Sequence, residues 1–195
     1  ETAFPEGQAL HVIWLEEQAD ELGGFFFLSL PGELQPKSAT EVRSHFPTLG
    51  VVPQLSPIER VESVLTPRYL AQTLSTRLAS RHFRNHLRLM TDQFNQYGYP
   101  AFRDFRDFAA EWLPEVQLDV VDIRQGTKAA EIDVFYREGQ SRKELVWAGD
   151  GVQVFLQLLW HIYRLRDSST IILDEPDVYL HADLQRRLLR VLEIL

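Results

Sequence analysis

The stretch Thr170-Ile171-Ile172-Leu173-Asp174-Glu175-Pro176 decides the fold of this chain. Its β-branched and apolar residues predict a buried strand, which ends in two consecutive acids and a proline. An apolar helix predicted over residues 151–165 precedes this strand, and a last helix begins near Ala182. Because strands and helices alternate, and parallel strands need crossover connections, the sequence predicts an α/β fold.

The segments further from this strand predict hairpins and a helical lobe. Thr66 and Pro67 fit an N-cap and a first helical residue, and they open a helix predicted to run to about Tyr97. A short helix is predicted after Pro57, and another helix over 101–113. Strands are predicted at 9–15, 25–30, 49–53, 116–123, 132–136 and 144–147, with a loop or short helix over 31–46. The predicted parts are a β-rich part over 1–56, a helical lobe over 57–113 and an α/β part over 114–195.

The composition is that of an ordinary soluble globular protein, with 45% hydrophobic and 25% charged residues among 195. No apolar run approaches the roughly 20 residues that a membrane-spanning helix needs, so we expect no membrane role. The absence of cysteine excludes disulfides and thiolate zinc sites, and it fits a cytoplasmic protein. The chain begins Glu1-Thr2 without a signal sequence and ends inside a helical pattern, so we expect a fragment.

Asp174 and Glu175 stand at the strand end where open α/β sheets place their ligands. A magnesium ion that bridges nucleotide phosphates is a natural partner for such acids. The first carboxylate then reaches the metal, and the second orients an attacking water. The same pair also fits two surface acids that end a strand before a proline, and so short a motif does not choose between the two interpretations.

Two neighbouring motifs favour the nucleotide. Ala148-Gly149-Asp150-Gly151-Val152-Gln153 opens the apolar helix, and Val178-Tyr179-Leu180-His181-Ala182-Asp183-Leu184-Gln185 follows the acid pair. Together with the acids they resemble the nucleotide-binding heads of ABC-type ATPases, in the group of chromosome-maintenance and DNA-repair ATPases and the overcoming-lysogenization-defect proteins of phage defence. The resemblance covers residues 145–190 well and the helical lobe loosely.

This resemblance implies a partial ABC-type head with antiparallel β-hairpins, a helical lobe and a parallel core strand that carries the Walker B acids. It also implies ATP and Mg²⁺ as cofactors, and a second head as a homodimeric partner. Asp174 then holds Mg²⁺, Glu175 is the catalytic base, and His181 lies near both nucleotides of the head pair. The signature loop, which closes over the nucleotide of the partner head, matches Gly149, Asp150, Gly151 and Gln153.

Gln54, which follows the strand predicted at 49–53, has two interpretations. It matches the glutamine that senses metal and water in the family, or it is a polar loop residue after Pro53, and the second reading is the more common one for such a residue.

Asp150 stands where the family commonly has a serine. A carboxylate about 4 Å from a phosphate charge costs roughly 4 kcal/mol at an effective dielectric near 20, so direct contact is disfavoured. Asp150 and Gln153 also fit a capping box, which starts a helix without any ligand, and we expect this capping role for Asp150. The backbone amides of Gly151 and Val152 remain available as phosphate donors.

The sequence contains no P-loop, which requires a glycine-rich turn that ends in lysine and serine or threonine. The lysines are Lys37, Lys128 and Lys143, and Gly126-Thr127-Lys128 is predicted to lie in a hairpin turn before Ala129. By the resemblance, the chain is a middle-to-late portion of a head. It would hydrolyse ATP only when an upstream P-loop completes it.

Charged and histidine residues of the helical lobe offer further candidates. Residues 60–110 carry a net charge of +4 within a chain of −8, and four arginines recur there at helical spacing: Arg77, Arg81, Arg84 and Arg88. This row could track a DNA backbone, or it is a solvated face that pairs with acids, and the negative charge of the whole chain favours the second interpretation. His82 and His86 have a metal-ligand spacing without a third ligand, so we expect surface histidines.

The sequence therefore predicts an ATP-binding and hydrolysing head of a DNA-repair or anti-phage ATPase. Nucleotide joins two heads in this hypothesis, and hydrolysis at Glu175 releases them. The alternative is a non-catalytic, head-like scaffold that dimerises or recruits a nuclease, with Asp150 and the missing P-loop as its signs. A third hypothesis is a nucleic-acid-binding lobe beside an incidental acid pair.

Overall fold

The structure is a computed structural model. It describes the backbone of residues 9–13 and 25–29, and it describes residues 48–91, 101–127 and 129–194 in full. The chain divides into two compact units, residues 1–48 and residues 49–195. In the first unit, β1 (Ala9–Ile13) and β2 (Phe25–Ser29) pair antiparallel, as predicted. The loop or short helix predicted over 31–46 lies outside the described residues.

The second unit mixes helices with two sheets, which confirms the predicted α/β class. In chain order it contains β3 (Leu49–Val52), α1 (Pro67–Thr73), a 3-10 helix (Arg77–His82), α2 (Phe83–Thr91), α3 (Phe102–Trp112), β4 (Gln117–Gln125), β5 (Ala130–Glu138), β6 (Ser141–Glu144), a second 3-10 helix (Leu145–Trp147), α4 (Asp150–Leu165), β7 (Thr170–Leu173) and α5 (Ala182–Glu193).

The strands β3 and β7 form a parallel pair, with Val52 opposite Leu173. The prediction of a buried strand here is wrong for β7, because its residues alternate between exposed and half-buried and Ile172 is 48% exposed. Among the described residues, β3 is the one strand that pairs with β7, so its other edge is uncovered. Gly50 brings β3 against the end of α4, since a Cβ at this position would lie 2.8 Å from Leu165 Cδ1.

The helix α4 forms the centre of the core. Twelve of its sixteen residues are buried, which is the pattern expected of a helix that is apolar on nearly every side. Its largest buried side chain, Trp160, meets the ring of Phe83 edge-on at 6.3 Å and stacks on the ring of His86 at 4.5 Å. No helix in the described part of the chain is long and apolar enough to cross a membrane.

A three-stranded antiparallel sheet, in the order β4-β5-β6, packs beside this core. The strand β4 has an irregularity between Leu118 and Val121, where its register with β5 shifts. The strand predicted over 144–147 is wrong, because β6 occupies Ser141–Glu144 and the next three residues form a 3-10 helix. The turn in this 3-10 helix closes where the amide of Ala148 donates to the carbonyl of Leu145.

The helical lobe is broken where one long helix was predicted. Thr66 does cap α1, since its hydroxyl accepts from the amide of Tyr69, and Pro67 is the first helical residue. The helix ends early because hydroxyl side chains compete for its carbonyls. The hydroxyl of Thr76 donates to the carbonyl of Thr73 at 2.7 Å and also caps the 3-10 helix that follows.

Residues 53–66, which we call the strap, connect β3 to α1. The short helix predicted after Pro57 is wrong, because the strap contains no helix. Two backbone hydrogen bonds add it to the antiparallel sheet. They run from the amide of Val64 to the carbonyl of Ala130 and from the amide of Ile132 to the carbonyl of Glu62.

The predicted row of four exposed arginines is also wrong. Because the helix breaks, a spacing of four residues does not continue along one face. The side chain of Arg84 is fully buried, where its guanidinium pairs with Glu144 at 3.1 Å and donates to the carbonyl of Glu59 at 2.9 Å. Arg88 donates to the carbonyl of Leu65 at 3.2 Å. These two arginines fasten the strap to α2.

Glu62 and Asn85 complete this buried polar cluster. One carboxylate oxygen of Glu62 accepts from the backbone amide and the side-chain amide of Asn85, both at 2.7 Å, and the other accepts from the amide of Arg84 at 3.0 Å. These donors and the Arg84 charge lower the pKa of Glu62. Burial outweighs them and raises that pKa from 4.5 to about 7.

The prediction of surface histidines is wrong as well. His82 is buried with its Nδ1 3.2 Å from the Thr73 hydroxyl and its ring edge-on to Tyr69. His86 is fully buried against Trp160, and burial lowers its pKa to about 3. Both histidines hold the lobe together.

Candidate functional site

The carboxyl end of the parallel pair brings the predicted acids to the surface. The amide of Asp174 donates to the carbonyl of Val52 at 3.0 Å, so the ladder between β3 and β7 continues to Asp174. Asp174 and Glu175 then leave the sheet, and both are exposed. Because parallel strands end at the same edge, residues that follow β3 meet residues that follow β7.

Gln54 occupies the same edge. It lies two residues beyond β3, and its side-chain amide Nε2 donates to Oε2 of Glu175. The two residues are separated by 121 positions in sequence, and the parallel pairing brings them together. The structure therefore brings Gln54 and Glu175 together at this edge. The function of Gln54 remains a prediction.

The backbone turns sharply directly after the strand. Glu175 has a φ of +46° and Tyr179 a φ of +71°, both in the left-handed region that non-glycine residues seldom occupy. The amide of Val178 donates to the carbonyl of Glu175 at 3.3 Å, and the amide of Leu180 to that of Asp177 at 3.0 Å. Strain of this kind costs about 1–3 kcal/mol per residue and often accompanies function.

The start of α4 lies against this turn. A Cβ on Gly151 would come within 2.9 Å of the Tyr179 carbonyl oxygen and about 4.0 Å of His181 Cδ2. Only glycine therefore fits at residue 151 without displacing the turn. The glycine-rich motif, the turn from Tyr179 to His181 and the acid pair thus belong to one region of the molecule. His181 is exposed and is the N-cap residue of α5.

The capping box predicted at α4 is wrong. Gly149 is the N-cap, no side chain caps this helix, and Asp150 is the first residue inside it. The side chain of Gln153 bonds to the strap and to the residues just before α4. Its Oε1 accepts from the amide of Ile58 at 2.9 Å, and its Nε2 donates to the carbonyls of Ala148 and Val146. Contact with a nucleotide would require these bonds to break.

A second glutamine of α4, which sequence reasoning missed, also contacts the strap. Gln157 lies one helical turn after Gln153, and its Nε2 donates to the carbonyl of Ser56 at 2.8 Å. The signal that could have found it is the spacing of four residues between two glutamines in an otherwise apolar helix. Gln153 and Gln157 together join α4 to the segment that directly follows Gln54.

The described residues suit magnesium only together with a nucleotide. In the described part of the chain, no group of three or more histidine, cysteine or acidic side chains could hold a metal ion. Mg²⁺ is typically held by one or two carboxylates with phosphate oxygens and waters. Asp174 is an exposed carboxylate that would fit such a donor set, in which a nucleotide would supply phosphate oxygens as further ligands.

Comparison with known protein families finds a match over most of the chain. Residues 29–195 match the family described as "AAA domain, putative AbiEii toxin, Type IV TA system". The match includes the parallel pair, the start of α4 and both exposed acids. No curated protein and no solved structure matches the chain.

Proposed function

Because the chain belongs to this AAA domain family, we propose that it is the part of an ATP-binding and hydrolysing head that carries the catalytic carboxylates. Membership of an AAA family indicates nucleotide binding. The observation that supports a hydrolytic role is the contact between Gln54 and Glu175 at the end of the parallel pair, beside Asp174. A surface acid that merely ends a strand needs no such partner.

In this proposal Asp174 holds Mg²⁺ with the nucleotide phosphates. When bound, the ion supplies charge neutralisation at the phosphate oxygens. Glu175 orients the attacking water, and its Oε1 accepts the proton while the Gln54 amide fixes Oε2. The phosphates also need a P-loop, which the 195 residues do not contain, and we assign it to a segment outside them.

The proposal extends to pairing of two heads around nucleotide. The start of α4 at Gly151 lies against the turn at Tyr179, which is 51% exposed, and Trp147, which precedes this helix, is 79% exposed. Exposed aromatic residues of this kind are frequent anchors of protein interfaces. The family description names a putative toxin and neither phage defence nor DNA repair, so both processes stay predictions.

The test is the substitution Glu175→Gln in the complete protein, with Glu111→Gln as the matched control on an exposed face of α3. We expect ATP turnover to fall about 100-fold or more, as for loss of a general base, while ATP-dependent dimers persist on gel filtration. The Glu111→Gln control should keep both the ATP turnover and the ATP-dependent dimers of the wild-type protein. Unchanged turnover in Glu175→Gln would refute the catalytic assignment.

A non-catalytic scaffold that dimerises or recruits a nuclease is the second candidate, and Asp150 favours it. Asp150 is exposed in the first turn of α4, where its carboxylate repels phosphate. On this hypothesis the complete protein dimerises without nucleotide, and neither Glu175→Gln nor Asp150→Ser alters the dimer. On the ATPase hypothesis, Asp150→Ser strengthens ATP-dependent pairing.

A further inference from the structure

The part of the lobe that is left exposed after Arg84 and Arg88 are buried is strongly basic. Residues 63–91 contain five arginines and no acid. Over residues 55–91, the exposed charged side chains are four arginines and one acid, Glu59. These arginines are Arg60, Arg68, Arg77 and Arg81. This local excess of positive charge stands within a chain whose net charge is −8.

Three of these arginines lie on one helical hairpin. Arg68 is on α1, and Arg77 and Arg81 are on the 3-10 helix. The two arms pack together, because His82 contacts the Thr73 hydroxyl at 3.2 Å and the Tyr69 ring at 5.4 Å. With seven residues, α1 is about 10 Å long. That length spans about three phosphates of one nucleic-acid strand.

Among the described residues, the arginines of the hairpin have at most a weak partner. No ion pair or hydrogen bond joins the side chain of Arg68 or Arg77 to a residue within the described ranges. Arg81 pairs with Glu59 at 3.1 Å, but both side chains are more than half exposed, at 61% and 53%. Exposed ion pairs of this kind contribute little to stability and are screened by salt, so a bound anion can replace Glu59 as the partner of Arg81.

The remaining surface of the hairpin suits a phosphate backbone. Its exposed residues include Gln72, Ser75 and Tyr69, whose side chains can donate hydrogen bonds, and contacts of this kind position nucleic-acid backbones. The exposed large hydrophobic side chains of the hairpin are Tyr69 at 43% and Leu78 at 37%. The core of a protein interface needs a larger apolar area.

We propose that the hairpin of α1 and the 3-10 helix binds the phosphate backbone of a nucleic acid through Arg68, Arg77 and Arg81. This inference goes beyond the ATPase proposal and does not depend on it, because it involves neither the acid pair nor a nucleotide. The partner is recognised by its charge spacing rather than by its bases, so binding is not sequence-specific and weakens with salt.

The test measures binding of a short fluorescein-labelled DNA duplex to the full chain over a salt series, without nucleotide. The variant is the double substitution Arg68→Glu and Arg77→Glu. The matched control is Arg103→Glu and Arg106→Glu, which removes an exposed and a half-buried arginine of α3, each of which pairs with the aspartate next to it. Both double variants change the net charge equally, so a difference between them reports local contact.

We expect the first variant to lose about tenfold in affinity and about two units of the salt slope, with little change in the control. Circular dichroism shows whether charge reversal affects folding. If it does, the neutral double variant Arg68→Gln with Arg77→Gln replaces it, and we expect the same loss of salt slope. Equal loss in variant and control, or absence of duplex binding at low salt, would overturn the proposal. So would equally tight, equally variant-sensitive binding of polyglutamate, because the partner would then be an acidic protein.

Discussion

Glu62 makes the stability of this protein depend on pH in a direction that the structure specifies. Its carboxylate is 5% exposed, and burial raises its pKa from 4.5 to about 7. Because the folded state binds the proton more tightly than the unfolded chain, this residue contributes stability that is fully present below pH 4.5. The contribution is lost as the pH rises through about 7.

The size of this effect follows from the shift in the pKa of Glu62. A difference of about 2.5 pKa units changes the free energy of unfolding by about 3 kcal/mol between a pH well below 4.5 and a pH well above 7. The substitution Glu62→Gln removes the titration. It also removes one acceptor for the amides of Arg84 and Asn85, which costs about 1 kcal/mol at every pH.

The assay is urea unfolding of the wild-type chain and the Glu62→Gln variant at pH 5 and pH 8, with Glu111→Gln as an exposed control. We expect the wild-type chain to lose about 2.5 kcal/mol more than the variant between these two values, while the control behaves as wild type. Other titrating groups are common to all three proteins and cancel in the comparison. Parallel pH dependence of wild type and Glu62→Gln would refute the reasoning.

Four further predictions concern packing and capping. Gly151→Ala should destabilise the fold by about 1–3 kcal/mol and lower ATP turnover, because its Cβ would meet the Tyr179 carbonyl at 2.9 Å. Gly149→Ala, with open space around it, should cost less than about 1 kcal/mol by thermal unfolding. Thr66→Ala should cost about 0.5–1 kcal/mol by thermal unfolding, since the cap bond is long at 3.4 Å, and no change would argue against the cap. Trp160→Ala should cost about 3–5 kcal/mol in urea because the ring is buried between aromatic rings. A smaller loss would mean that the core is not centred there.

The sequence allowed prediction of those elements that have a local signal. The apolar helix α4, the strand before the acids and the cap at Thr66 all follow from periodicity and capping residues that lie next to one another in the chain. The parallel pairing followed from the alternation of strands and helices. The contact between Gln54 and Glu175 could be proposed from sequence only through the resemblance, because no local pattern specifies which residues meet at a sheet edge.

The lobe could not be predicted in the same way. Arg84 and His86 belong to polar types that are mostly exposed, and their burial depends on partners far along the chain, Glu144 and Trp160. The break after α1 depends on hydroxyl side chains that can either continue a helix or compete with it. Helical spacing alone could not choose between these outcomes, so the predicted row of arginines was wrong.

The strap shows that an irregular segment can be held as firmly as a strand. Its amides at Ser56, Ile58 and Leu65 donate to the side chains of Ser80, Gln153 and Asn85 at 2.9–3.0 Å. Such amides exchange their hydrogens slowly with solvent although they belong to no helix or strand. Proteases that cleave mobile loops should therefore leave the strap intact. Its local opening should be coupled to that of α4, to which it is hydrogen-bonded.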